Sequence, residues 1–148
     1  MKQAEAQKNN SLFDRIDQVG VVVRSVDDTI RNYEPIFGKD AFVVVEGEAP
    51  ATLGDGREVM IKGKLGFLQL GEVQLELIEI KNGPSVHVDF LERCGEGIHH
   101  VGVYVTDFDD KVEAFQKKGI KILQQGQGAR RYAYMDTKPV ILELIEQG

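Results

Sequence analysis

Apolar residues recur at Val26, Ile30 and Tyr33 and again at Phe108, Val112 and Phe115, the i, i+4, i+7 spacing that sets three side chains on one face of a helix. Each set follows a valine-rich run that reads as a strand. Asp17-Gln18-Val19-Gly20-Val21-Val22-Val23-Arg24-Ser25-Val26-Asp27-Asp28 aligns at an offset of 82 with His99-His100-Val101-Gly102-Val103-Tyr104-Val105-Thr106-Asp107-Phe108-Asp109-Asp110, and six of the twelve positions are identical. The chain therefore holds an internal repeat whose unit opens with a strand and then a helix. Ser25 and Asp107 stand where N-caps are expected, and Gly38 and Gly119 fall where the helices should end.

Alternating or β-branched runs after each helix predict further strands, at 41–45, 59–61 and 65–70 in the first unit and at 120–123 and 132–135 in the second. The Gly- and Pro-containing segment Ala49-Pro50-Ala51-Thr52-Leu53-Gly54-Asp55-Gly56 predicts a loop. Both units close on the same five residues, Leu75-Glu76-Leu77-Ile78-Glu79 and Leu142-Glu143-Leu144-Ile145-Glu146, where the offset has dropped to 67, so the first unit is 15 residues longer and the loop is its simplest source. The expected organisation is a polar, disordered leader over residues 1–12 and a single α+β domain over 13–148. That domain divides into a βαβββ module over about 13–80, a connector at 81–96 with room for two or three helical turns, and a second βαβββ module over about 97–147.

Composition narrows the function. Of the 148 residues 42% are hydrophobic and 28% charged, the mix of a globular domain. No apolar run approaches the roughly 18 residues of a membrane span, and the N-terminal residues show no signal-peptide pattern, so a cytoplasmic protein with no membrane partner is expected. A net charge of −6 argues against nucleic acid as a partner. Cys94 is the one cysteine and can form no internal disulfide.

Two copies of one unit pack about a pseudo-twofold axis, so equivalent positions can face each other. The equivalent polar positions are Gln18 with His100, at the start of each first strand, and Glu76 with Glu143, in each last strand. Strand periodicity places Glu76 on the face of Ile78 and Ile80, and Glu143 on that of Ile141 and Ile145. A carboxylate aimed into an apolar concavity is costly unless it is paired or bound to metal. Imidazole, carboxylate and amide donors from four strands suit one divalent metal ion, with Zn, Co, Ni and Mn as candidates. On the same alternation His99 points to the opposite strand face and is read either as a packing residue or as one that supports the neighbouring His100 from behind. His87 and Cys94, in the connector, have no repeat partner and are read as structural. Lys117, Lys118, Lys121, Arg130 and Arg131 read as a solvated face, with contact to a substrate anion as the alternative. Tyr132 and Tyr134 either line the cup or pack, and Gly54-Asp55-Gly56 is a turn.

At these residues the chain resembles the vicinal oxygen chelate superfamily, the glyoxalase, bleomycin-resistance and dioxygenase proteins. In these, paired βαβββ modules form a curved sheet cup around a metal. Gly97-Ile98-His99-His100-Val101-Gly102-Val103 and the closing Leu142-Glu143-Leu144 are most similar to methylmalonyl-CoA epimerases. The resemblance covers about residues 13–147. It implies a metal held by Gln18, Glu76, His100 and Glu143, with Gln18 standing where epimerases have His. A Gln, Glu, His, Glu set in this order resembles glyoxalase I of the zinc-using type. What the resemblance implies is α-proton abstraction from a small acyl thioester or related substrate, with Glu143 and Glu76 moving the proton, and a homodimer. Epimerisation of a 2-substituted acyl-CoA is the first expectation and a glyoxalase I-type lyase acting on a hemithioacetal the alternative. A metal-free binding or resistance protein is a further alternative, and retention of Glu76, His100 and Glu143 counts against it. A ring-cleaving dioxygenase is disfavoured because Gln18 removes one of its two His ligands. The epimerases use a further acid, whose place here stays open among Glu46, Glu48 and Glu58.

Overall fold

The computed structural model describes residues 11–148. Eight strands and three helices follow in the order β1 (Gln18–Val22), α1 (Val26–Phe37), β2 (Val43–Leu53), β3 (Glu58–Leu70), β4 (Val73–Asn82), α2 (Val86–Cys94), β5 (Gly97–Val105), α3 (Phe108–Lys117), β6 (Ile122–Gln127), β7 (Arg131–Met135) and β8 (Ile141–Glu146). The repeat is visible in the pairing. β1 lies parallel to β4 and β5 parallel to β8, with β2-β3-β4 and β6-β7-β8 as antiparallel meanders. The two modules join where β1 pairs antiparallel with β5, and β2 meets β6 over Ala51–Leu53, which closes the curved sheet.

Helices α1 and α3 cover the outer face. Val26, Ile30 and Tyr33 of α1 pack on Val23, Leu77 and Phe42, while Phe108, Val112 and Phe115 of α3 pack on Val103, Val105, Ala133, Leu142 and Leu144. Because strand side chains alternate, filling the outer face with Leu77, Leu142 and Leu144 commits Glu76 and Glu143 to the inner one. Ser25 caps α1 by accepting the Asp28 backbone N–H at 3.1 Å, and Glu79 Oε1 takes the Val26 N–H at 2.9 Å. No helix among the described residues is long and apolar enough to cross a membrane.

One expectation is corrected here. Residues 49–53 are not a loop: they belong to β2, which pairs with β3 from Val43 to Thr52, and the turn is confined to residues 54–57. The extra length of the first module is thus a long hairpin. Pro50 is tolerated because that stretch of β2 has β3 on one side only, and β6 joins it just at its end. The leader expectation falls on residues 1–10, which lie outside the described residues, and on Ser11 and Leu12, where Leu12 already packs against the second module's core.

Candidate metal centre

The four residues named from the repeat converge inside the cup. Gln18 comes from β1, Glu76 from β4, His100 from β5 and Glu143 from β8, and all four are buried. His100 Nε2 stands 3.0 Å from Glu143 Oε1, 3.5 Å from Glu76 Oε1 and 3.2 Å from Gln18 Oε1. One donor atom from each of Glu76, His100 and Glu143 lies within 4.8 Å of the other two. The Gln18 amide has two orientations, and with Oε1 inward that oxygen faces the Glu76 and Glu143 carboxylate oxygens, a contact that only a proton or a cation between them satisfies. With Oε1 inward, its Nε2 donates to Gln74 Oε1 at 2.9 Å; turned over, its Nε2 faces Glu143 Oε1 at 3.1 Å and Glu76 Oε1 at 3.3 Å.

The electrostatics of this cluster call for a cation. Burial alone would push the His100 imidazole down, but the charge of Glu143 and its hydrogen bonds to Glu143 and Glu76 raise it to about 9. Burial pushes the Glu76 carboxyl up, with the Glu143 charge adding to it and the His100 hydrogen bond opposing. Two carboxylates in a low-dielectric cup thus share one imidazolium. Carboxylate, imidazole and amide donors at these distances are also the donor set of a divalent cation, whose two positive charges would balance both carboxylates. The residues present fit a metal.

A second layer, which the sequence reading did not assemble, lies behind His100. His99 Nδ1 is 3.0 Å from His100 Nδ1, and His87 Nε2 is 2.8 Å from the Tyr134 hydroxyl. The His99 ring lies 4.8 Å from His87 and 5.3 Å from both Phe90 and Tyr134, centroid to centroid. The expectation that His99 points to the opposite face is therefore wrong. The β1–β5 register pairs Gly20 with His100 but Val21 with Ile98, so His99 sits in a bulge that turns its ring to the side of His100. His87 is likewise more than connector packing. His87, Phe90 and Leu91 have the i, i+3, i+4 spacing of a buried helix face, and that signal could have found it. Burial first, then the His100 charge, holds His99 down to about 3. Burial, reinforced by His99 and His100, holds His87 well below its usual value. Tyr134 is pushed well up by burial and by the charges of Glu143 and Glu76, so it keeps its hydroxyl proton.

A sequence profile of the Glyoxalase/Bleomycin resistance protein/Dioxygenase superfamily matches residues 17–134. The chain belongs to that superfamily. It is 30% identical over 142 residues to the uncharacterized protein YqjC of Bacillus subtilis (strain 168), covering 90% of this chain and 93% of that one. Among solved structures it is similar to a methylmalonyl-CoA epimerase from Mycobacterium tuberculosis, with a TM-score of 0.67 and 24% identity, covering 95% of this chain and 92% of that one. It is similar also to a Streptomyces coelicolor methylmalonyl-CoA epimerase in complex with 2-nitronate-propionyl-CoA, with a TM-score of 0.68 and 21% identity, covering 90% and 97%. These likenesses carry the fold.

Within this glyoxalase-superfamily cup the remaining candidates separate clearly. Glu46 and Glu48 lie exposed on the outer face of β2, opposite Lys64 and Lys62, and Glu58 lies exposed at the far end of the hairpin, so none reaches the centre. Arg131 is engaged outside the cup, with Asp109 and Glu146. Lys117 pairs with Glu113 on α3, and Lys118 and Lys121 are exposed. Arg130 lies over the Tyr104 ring at 5.3 Å. Tyr132 accepts the Gln124 amide at 3.0 Å, and Cys94 is exposed at the end of α2. A hollow of about 320 Å³ between residues 11–15, the end of β5 and Lys111 contains none of the four donors.

Proposed function

We propose that the protein is a divalent-metal-dependent enzyme that removes and returns the α-proton of an acyl thioester, and that it epimerises a 2-substituted acyl-CoA. The observation that carries this reading is the convergence of Gln18, Glu76, His100 and Glu143 on one buried point. Gln18 with Oε1 inward, Glu76, His100 through Nε2 and Glu143 are the residues that would hold Zn, Co, Ni or Mn. A bound divalent cation supplies Lewis acidity towards a substrate carbonyl oxygen.

The chain's own residues supply the rest. Glu143 and Glu76 come from different modules and flank the centre from two sides, which is the arrangement that inversion of a carbon centre needs: one carboxylate removes the proton and the other returns it. Burial raises the Glu76 carboxyl, which favours its protonated, proton-donating form. Val43, Val45, Leu65, Phe67 and Ile78 share the inner face with Glu76 through their cross-strand pairing, and give the cup an apolar wall against which an acyl chain can exclude water. Val43 and Val45 stay solvent-exposed, so this wall is the open side.

Similarity in fold to methylmalonyl-CoA epimerases supports this reading over others. Gln18, in place of the His expected of that branch, favours a second reading, a glyoxalase I-type lyase acting on a hemithioacetal. A cytoplasmic homodimer is the state proposed with either reading. The test is calorimetric titration of EDTA-stripped protein with Zn²⁺, Co²⁺, Ni²⁺ and Mn²⁺, alongside His100→Ala and Glu143→Ala. One tight site per chain, lost in both variants, is the expected result. Solvent-deuterium exchange at the α-carbon of an acyl-CoA, compared with turnover of a hemithioacetal, then separates the two readings. A parent that binds no metal would sink both.

A further inference from the structure

Behind the four donors, two imidazoles face each other through like nitrogens. His99 Nδ1 and His100 Nδ1 are 3.0 Å apart, so one must carry the proton and the other must accept it. The direction of this bond decides what His100 offers the centre. With the proton on His100 Nδ1, the Nε2 lone pair is free to face a cation among Gln18, Glu76 and Glu143. With the proton on His99 Nδ1, a neutral His100 must carry its own proton on Nε2, aimed at the two carboxylates, and a cation is locked out.

We infer that His99 is the positioning residue of the centre: its Nδ1 accepts the His100 Nδ1–H and holds the His100 ring with Nε2 towards Glu76 and Glu143. This rests on the metal reading above. When His100 Nε2 faces a cation held with Glu76 and Glu143, its Nδ1 is the one nitrogen left to carry the ring's proton, so His100 Nδ1 donates to His99 Nδ1, 3.0 Å away. The bulge in β5 brings His99 to this side of the strand, and the edges of Phe90 and Tyr134 fix the plane of its ring, with interplanar angles of 89° and 87°. His99 Nε2 then bears that ring's single N–H hydrogen. It is buried without a partner among the described residues, a cost that packing alone gives no reason to keep. Outer hydrogen-bond partners of this kind set the tautomer and basicity of a ligating imidazole.

The test uses the full chain labelled with ¹⁵N at histidine, at about pH 7, metal-free and with Zn²⁺, together with His99→Asn and His99→Leu. Asparagine places its Oδ1 near the position of His99 Nδ1 and retains the acceptor; leucine removes it. The expected spectrum has His100 Nδ1 protonated, His99 Nδ1 bare and a scalar coupling between the two across the hydrogen bond. Competition with a chromophoric chelator should show Zn²⁺ affinity weakened roughly 10–100-fold in His99→Leu and largely restored in His99→Asn. A proton found on His99 Nδ1, or equal zinc affinity in parent and both variants, overturns the inference. If the parent binds no zinc, the metal reading falls by itself, and the metal-free spectrum decides the pairing alone.

Discussion

Gly20 and Gly102 occupy equivalent positions of the repeat, and each faces the donor contributed by the other module. Gly20 pairs with His100 and Gly102 with Gln18 across the β1–β5 seam. A Cβ on Gly20 would overlap the His100 ring itself, whereas a Cβ on Gly102 would meet Ile145 Cδ1 at 3.1 Å and Gln18 Oε1 at 3.2 Å, close enough to need only a small shift. Gly20→Ala is therefore expected to displace His100, with a loss of about 1–3 kcal/mol in folding stability and weaker zinc binding, while Gly102→Ala is milder in both. Urea midpoints and chelator competition on the two variants check this, and equal effects would contradict it. The four donors were legible in the sequence because a repeat converts local identity into spatial equivalence. The glycines were visible only as identities, since nothing local tells which ring will approach a backbone. His99 was misplaced because a bulge breaks the alternation on which the reading relied.

At the scale of the element, helices were legible from periodicity because the spacing is set by the helix itself. Val26, Ile30 and Tyr33 pack as that spacing requires, and so do Phe108, Val112 and Phe115. The β2–β3 hairpin was not legible, because Gly47, Pro50 and the small residues around them mimic a turn. On a strand whose outer edge is largely unpaired they cost little. Caps were half legible. Ser25 accepts the Asp28 N–H at 3.1 Å, but Asp107, its equivalent at α3, makes no side-chain capping bond. Ser25→Ala is accordingly expected to destabilise the protein by about 1 kcal/mol. Asp107→Ala should stay within about 0.5 kcal/mol of the parent. Denaturant midpoints at constant m-value measure both, and a larger loss at Asp107 would show that the capping geometry of α3 differs from that described.

For the whole molecule, the buried imidazoles couple folding to pH with opposite signs. His100, raised to about 9, binds a proton in the native state that the unfolded chain releases above about 6.5, so its contribution is complete below that value and is lost as pH rises to about 9. Glu76, also raised, acts with the same sign. His99, held down to about 3, stays neutral in the native state while the unfolded chain takes up a proton, so its contribution is lost as pH falls below about 6.5, and His87 acts with it. On the acid side these two oppose Glu76, which leaves the alkaline side as the single-signed test. Metal-free protein should lose stability steadily from about pH 6.5 to about pH 9. Zinc changes the slope, because occupying the centre displaces the proton from His100 Nε2, so affinity rises as that proton becomes easier to remove. Ligand binding to the native state alone adds stability as RT ln(1 + [L]/Kd), so the gain grows as zinc affinity rises, and the zinc-loaded protein should therefore gain most where the metal-free protein is weakest. Urea unfolding with EDTA and with zinc, stepped across this range, gives two curves that diverge with rising pH. Parallel curves would mean that the cation does not compete with the His100 proton, and the four-strand centre would not be where it binds.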